Sequence, residues 1–252
     1  ALAPSGTLRA AINFGNPILA NRDPVSGEAR GVSVDLARAL GARLGVPVEL
    51  VLYTAAGLVT DGARRGEWDI GFFAIDPVRA ADTDFSPAYV VIEGAYLVPQ
   101  GSPITRNEQV DRDGVRVVVG RGSAYDLYLT REIKNATLVR APSSPLVVDT
   151  FVQQKLDVAA GVKQQLEADA KRLGGLRLLP GRFMVIQQAM GCPRALPDAA
   201  AQALRRFVED MKASGFVADA LARHGIAGAS VAPAAAGGVT GASAPIFRPP
   251  QK

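Results

Sequence analysis

The chain has 252 residues, 48% of them hydrophobic and 21% charged, and its 28 Lys and Arg against 24 Asp and Glu give a formal net charge of +4. This is a globular composition with ample core material, and the small basic excess, without a dense basic stripe, argues against a dedicated nucleic-acid binder. One Cys, Cys192, and one His, His224, exclude an intrachain disulfide framework and a Cys/His zinc cluster, and no apolar run reaches the roughly 20 residues of a membrane span.

The N-terminal ALAPSGTLR has neither a basic n-region nor a long apolar h-region and reads as a mature end, after any export signal has gone. Thr7 to Phe14 opens with a short strand. Asn13 near its end either faces a ligand or caps the turn that follows. The next stretch is rich in Asn, Gly and Pro, with Pro24 and Gly27 suited to a hairpin. Val34 to Leu44 is a helix, since Leu36, Leu40 and Leu44 form one apolar face. Gly45 stops it and Pro47 follows. Val48 to Leu52 is a strand, Ala55 to Arg65 a helix, and Asp69 to Ile75 a buried apolar strand. The order β-α-β-α-β predicts parallel pairing.

Asp76-Pro77 reads as a helix start, Asp as N-cap and Pro in the first helical position. Arg79 then falls in a first helical turn, just past the carboxyl end of a strand, where ligands of open α/β sheets bind. A cation is unfavourable at that end of the macrodipole, and an anion held by the guanidinium fork would explain it. The bland alternative is a solvated Arg79, or one paired with Asp82 or Asp84.

Phe85 to Tyr89 leads into a long strand, Val90 to Val98, and Pro99 to Pro103 breaks it, as at a crossing into a second lobe. A new α/β pattern begins with the strand Val115 to Val119. Gly120-Arg121-Gly122-Ser123-Ala124 turns into a helix from Tyr125 to Ile133. That turn is either an anion-binding helix start or a plain turn capped by Ser123. A strand, Thr137 to Arg140, and a mostly helical stretch, Ser143 to Leu156, precede the small-residue strand Asp157 to Gly161. Lys163 to Leu173 is helical, Leu176 to Leu179 and Arg182 to Met190 are strands, the second a return crossing, and Pro197 to Lys212 is an amphipathic helix that Phe216 to His224 extends. A catalytic role for His224 in that helical end is disfavoured, and Cys192 reads as an inert buried thiol. From Ala229 the composition shifts to Ala, Gly, Ser and Pro, which predicts a flexible or surface-draped tail over 229–252 that Ile246 and Phe247 would anchor.

In this order, Gly31 to Leu36, Gly66 to Asp69, Ile75 to Arg79, Phe85 to Tyr89, Gly122-Ser123 and Lys155 to Ala159 make the chain resemble the family 3 extracellular solute-binding proteins, over about Leu8 to Ile226. The resemblance implies an α/β, two-lobed periplasmic binding protein fold of type II with two crossing hinge strands. Lobe 1 would be 1–98 plus 190–228 and lobe 2 would be 99–189. It implies the receptor of an ABC importer: periplasmic, monomeric, without cofactor, and partnered by an inner-membrane ABC permease and an anionic or zwitterionic small solute. Arg79 would clamp the ligand carboxylate, with donors at Gly122, Ser123 and Ala124.

The departures from the family pattern concern the α-ammonium. The Asp expected to hold it is Val162 here, and the strand positions that usually carry Ser are Phe72 and Ala74. An ammonium without acceptors in a closed cleft is costly, so the expected ligand keeps a carboxylate, lacks the amine or has a less polar body. Phe14, Phe72, Phe73 and Tyr125 either line an apolar wall or pack in the core. Asp76 would restore an acidic partner, although N-capping already accounts for it, and Lys163 would be a second cation or a solvated one. The alternatives are an enzyme on the same scaffold, such as a dehydratase of a cyclic carboxylate with Glu93 or Asp76 as acid/base, and the sensing module of a larger receptor.

Overall fold

The computed structural model describes residues 1–235. The first parallel pair is β1 (Leu8–Asn13) with β4 (Val48–Tyr53), in register Leu8 to Val48. Between them lie the hairpin β2 (Asn21–Arg22) and β3 (Ala29–Arg30), at the predicted turn, and α1 (Val32–Leu44). The helix starts two residues earlier than its apolar periodicity suggests, because Val32 and Ser33 are buried too. Gly31 before it is obligatory: its φ is 126°, and a Cβ there would stand 2.4 Å from the Leu19 carbonyl oxygen.

α2 (Ala56–Arg64) leads to β5 (Gly71–Ala74), whose four residues are all buried. Trp68, at the entry to β5, is 1% exposed. Its Nε1 donates to the Val59 carbonyl at 2.9 Å, and its ring lies 5.3 Å from that of Phe73. Trp68→Ala is expected to cost about 3–5 kcal/mol, read as a lower urea midpoint at unchanged m value.

β6 (Thr83–Pro99) is one strand of 17 residues. The sequence predicts its start only at Val90. The strand begins earlier because β11 (Met184–Pro193) pairs antiparallel with it from Thr83 to Gly94 and absorbs register shifts around Ala189. These are the two crossing strands. Beyond Gly94, β6 pairs with β9 (Val158–Val162) and β10 (Leu176–Leu178). β7 (Arg116–Gly120) lies parallel between β9 and β8 (Thr137–Ala141). The sheet runs β5-β11-β6-β9-β7-β8, so one continuous sheet joins two α/β halves.

In the second half, α3 (Ala124–Glu132) packs into the main core, while α4 (Val147–Gln153) and α5 (Lys163–Leu173) cover a separate cluster around Val118, Phe151 and Leu166. α6 (Asp198–Ala213) and α7 (Phe216–Arg223) close the first half. Cys192 is buried, which pushes its thiol up to about 12, and His224 pairs with Asp35 of α1 at 2.7 Å.

Two expectations are corrected. Asp76-Pro77 does not open an α-helix. The chain makes a turn and a single 3-10 turn, Arg79–Ala81, because β6 begins at Thr83 and leaves no length for more. Asp76 still caps it, its Oδ1 accepting from the Val78 N–H at 2.9 Å. The tail begins as structure: β12 (Ala229–Val231) pairs antiparallel with Val90 to Ile92 of β6, and Lys212 Nζ donates to the carbonyls of Ala88 and Pro233. Small side chains can still pair through their backbone, which composition alone does not reveal. Ile246 and Phe247 lie outside the described residues.

Candidate ligand site between the halves

A cavity of about 800 Å³, counting its mouth, lies between the two halves, with walls from both, a volume in the usual range of small-molecule sites. The first half contributes Asn13, the loop from Gly15 to Ile18, Phe72 to Ala74, and Arg79. The second contributes Ser123 to Tyr125 at the start of α3, Ser144, the end of β9 from Ala160 to Val162, and Gln165, Leu166 and Asp169 of α5. Ile186 and Gln188 come from the crossing strand β11.

Arg79 is the buried charge of the first wall. It is 3% exposed. Nη1 donates to the Ala74 carbonyl at 3.1 Å and Nη2 to the Gly122 carbonyl at 2.9 Å, while Nε is buried without a partner. The bland alternative fails on geometry: Asp82 pairs with Arg64 at 2.8 Å and Asp84 with Arg194 at 3.6 Å. Asp76, the nearest charge of opposite sign, is held by Arg131 at 2.9 Å. Burial pulls the Arg79 guanidinium down to about 10, so it stays protonated at neutral pH, without a carboxylate in contact among the described residues. Two of its five N–H donors are used.

The turn into α3 is both capped and part of the wall. Ser123 Oγ accepts from the Asp126 N–H at 3.2 Å. The Gly122 N–H donates to Asp126 Oδ2 and the Ser123 N–H to the Gly120 carbonyl, so these backbone donors are already engaged. The first-turn N–H groups of α3, at Ala124 and Tyr125, have no intrahelical acceptor. Tyr125 OH is buried without a partner, and burial raises its pKa. Asn13 also caps: its Oδ1 accepts from the Gly15 N–H at 2.7 Å, and it lines the cavity as well.

Of the residues singled out from the sequence, Asn13, Phe72, Ala74, Arg79, Ser123, Ala124, Tyr125 and Val162 come together in the cavity wall. Phe14, Asp76 and Gly122 do not. Phe14 lies under the Arg22 guanidinium, 4.6 Å from its ring centroid. Asp76 is turned to Arg131, and Gly122 presents its carbonyl to Arg79. Phe72, Phe73 and Tyr125 serve both readings, as core members whose edges reach the cavity. Asp169, Gln165, Gln188 and Asn16 were not foreseen. The signal for Asp169 was available: it stands three residues after Leu166, on the buried stripe of α5.

The halves also touch across the cleft. Arg79 reaches the Gly122 carbonyl, Asp76 pairs with Arg131 of α3, and the Gly122 backbone lies against Gly57 of α2.

Comparison with known proteins agrees with this architecture. The chain is similar in structure to an ABC-transporter binding component from Wolinella succinogenes complexed with lysine (TM-score 0.73, 22% identity, 87% of this chain and 95% of that one). It is also similar to a solute receptor for L-cysteine of Neisseria gonorrhoeae (TM-score 0.76, 22% identity, 88% and 91%). A third likeness is to an ancestral amino acid-binding protein described as a precursor of cyclohexadienyl dehydratase (TM-score 0.71, 22% identity, 86% and 95%). These likenesses show the two-lobed binding-protein fold. No curated protein sequence matches the chain. The family of bacterial extracellular solute-binding proteins, family 3, matches residues 16–225, and the chain belongs to that family.

Proposed function

We propose that the protein is the periplasmic receptor of an ABC importer, working as a monomer, and that it captures a small carboxylate-bearing solute between lobes 1–98 plus 190–228 and 99–189. One observation carries this reading. Arg79 is a buried, protonated guanidinium on the cavity wall with an unpartnered Nε and no carboxylate in contact among the described residues. A buried charge of this kind calls for a counter-ion, and a planar fork suits a carboxylate. The amino acid ligands of the structural relatives, lysine and L-cysteine, carry such a group. The lobes close on the solute and present it to a membrane permease, a hinge motion of the periplasmic-receptor kind.

Glu93 and Asp76, weighed above as acid/base groups, stand outside the cavity wall. Glu93 is held by Arg182 and Lys163, and Asp76 by Arg131. Binding without chemistry is therefore the reading the geometry favours.

The test is thermal unfolding against α-amino acids and against carboxylic acids without the amine. A ligand at a hundred times its Kd stabilises by about 2.7 kcal/mol, a rise of very roughly 5–10 °C in Tm for a chain of this size. A rise with at least one acid class supports the reading. No rise with any acid in either panel contradicts it.

A further inference from the structure

The cavity has two charged walls. Opposite Arg79 stands Asp169 of α5, which is 8% exposed and lines the same cavity. Its carboxylate is only loosely held. Arg172, whose own side chain is 56% exposed, approaches Oδ1 at 3.2 Å, and Gln165 Nε2 approaches Oδ2 at 3.4 Å. Charge-assisted hydrogen bonds of this type are typically 2.7–2.9 Å, and a carboxylate has about four acceptor positions. Asp169 thus keeps strong acceptor capacity on a buried wall. Between the two charges the lining is apolar: Phe72, Ala74, Val162 and Leu166 offer no side-chain acceptor. Asp169 sits in the second turn of α5, seven residues into the helix, about 10 Å along its axis from the end that meets Val162.

Resting on the reading of Arg79 as the carboxylate site, we infer that Asp169 is a specificity-determining residue that accepts a cationic group at the far end of the solute. The preferred ligand is then a carboxylic acid whose amine is separated from the carboxylate by several carbons. An amine next to the carboxylate would face Val162, Phe72 and Ala74. A distal amine reaches the one carboxylate among the cavity-lining residues, and the methylenes between the two lie along the apolar lining. Arg172 is exposed enough to swing into water when a ligand ammonium takes its place.

The experiment is calorimetric titration of the full chain with straight-chain ω-amino acids of four to eight carbons, the matching amine-free acids and the matching α-amino acids. In the wild-type protein, one ω-amino acid is expected to bind at least about tenfold more tightly than its amine-free and α-amino counterparts. In Asp169→Asn that preference disappears, while the affinity for the amine-free acid stays within about threefold of wild type. Equal affinities in the wild-type protein, or a preference that persists in Asp169→Asn, would overturn the assignment of Asp169 and leave the Arg79 reading standing. Absence of binding by all three series would overturn both. The wild-type comparison holds even if Asp169→Asn proves poorly folded.

Discussion

Arg79→Ala is expected to weaken binding of the carboxylate ligand by at least about 100-fold. Truncating one partner of a buried, hydrogen-bonded charge pair costs 2–5 kcal/mol, and each 1.4 kcal/mol is tenfold. Here two further effects add to the loss. The Ala74 and Gly122 carbonyls lose their guanidinium donors, and the contact that Arg79 makes from the first half to the second is gone. Arg79→Lys keeps the charge but not the fork, which spans two carbonyls and still has donors free, so it should recover only part of the affinity. The sign of the electrostatics is specific. Burial lowers the Arg79 pKa from 12.5 to about 10, so the cost of holding the charge in the closed cleft is present at every pH below about 10 and fades only above it. At neutral pH an anion offsets that cost and links closure to ligand. Calorimetry on the two variants checks this; an Arg79→Ala protein that binds the same acid within threefold of wild type would remove Arg79 from the site.

Gly122→Val is expected to hold the halves apart. Gly122 has φ of 70°, and a Cβ there would stand 2.8 Å from the Gly57 Cα and 3.1 Å from its nitrogen. Both are backbone atoms, so the contact is relieved by separating the halves rather than by turning a side chain. A β-branched residue with positive φ adds strain to the same turn. The expected result is a binding loss of roughly ten- to a hundredfold and a larger radius of gyration by small-angle scattering in the presence of saturating ligand. Gly57→Ala is the control: its Cβ would lie 3.6 Å from the Gly122 Cα, an ordinary contact, and closure should survive. A Gly122→Val protein as compact and as tight-binding as wild type would mean that this contact plays no part in closure.

Much of the architecture was legible because it rests on local rules. The Leu36-Leu40-Leu44 stripe, the Gly45 stop and the apolar run at Gly71 to Ala74 each mark an element that the structure contains. What failed was set by partners distant in sequence. The true start of β6 depends on β11, a hundred residues later, and β12 exists because a strand edge was there to receive it. The short turn at Arg79 shows the same limit: Asp-Pro caps whatever follows, and the nearness of β6 decides that it is one 3-10 turn. In the site, the residues next to strand ends, such as Asn13, Arg79 and Ser123, were placed by the general geometry of α/β sheets. Asp169 was missed because a charged residue well inside a helix usually faces water, and its spacing from Leu166 outweighs that habit only once α5 is seen against the cavity.

The most direct test of the central claim is calorimetric titration of the wild-type protein with the best-binding acid from the panels and with the same molecule as its primary amide. The two are nearly equal in shape and differ in charge. If Arg79 holds an anion, the acid binds and the amide binds at least about 100-fold more weakly. Equal binding of acid and amide would contradict the account, because the buried guanidinium would then have no part in choosing the ligand.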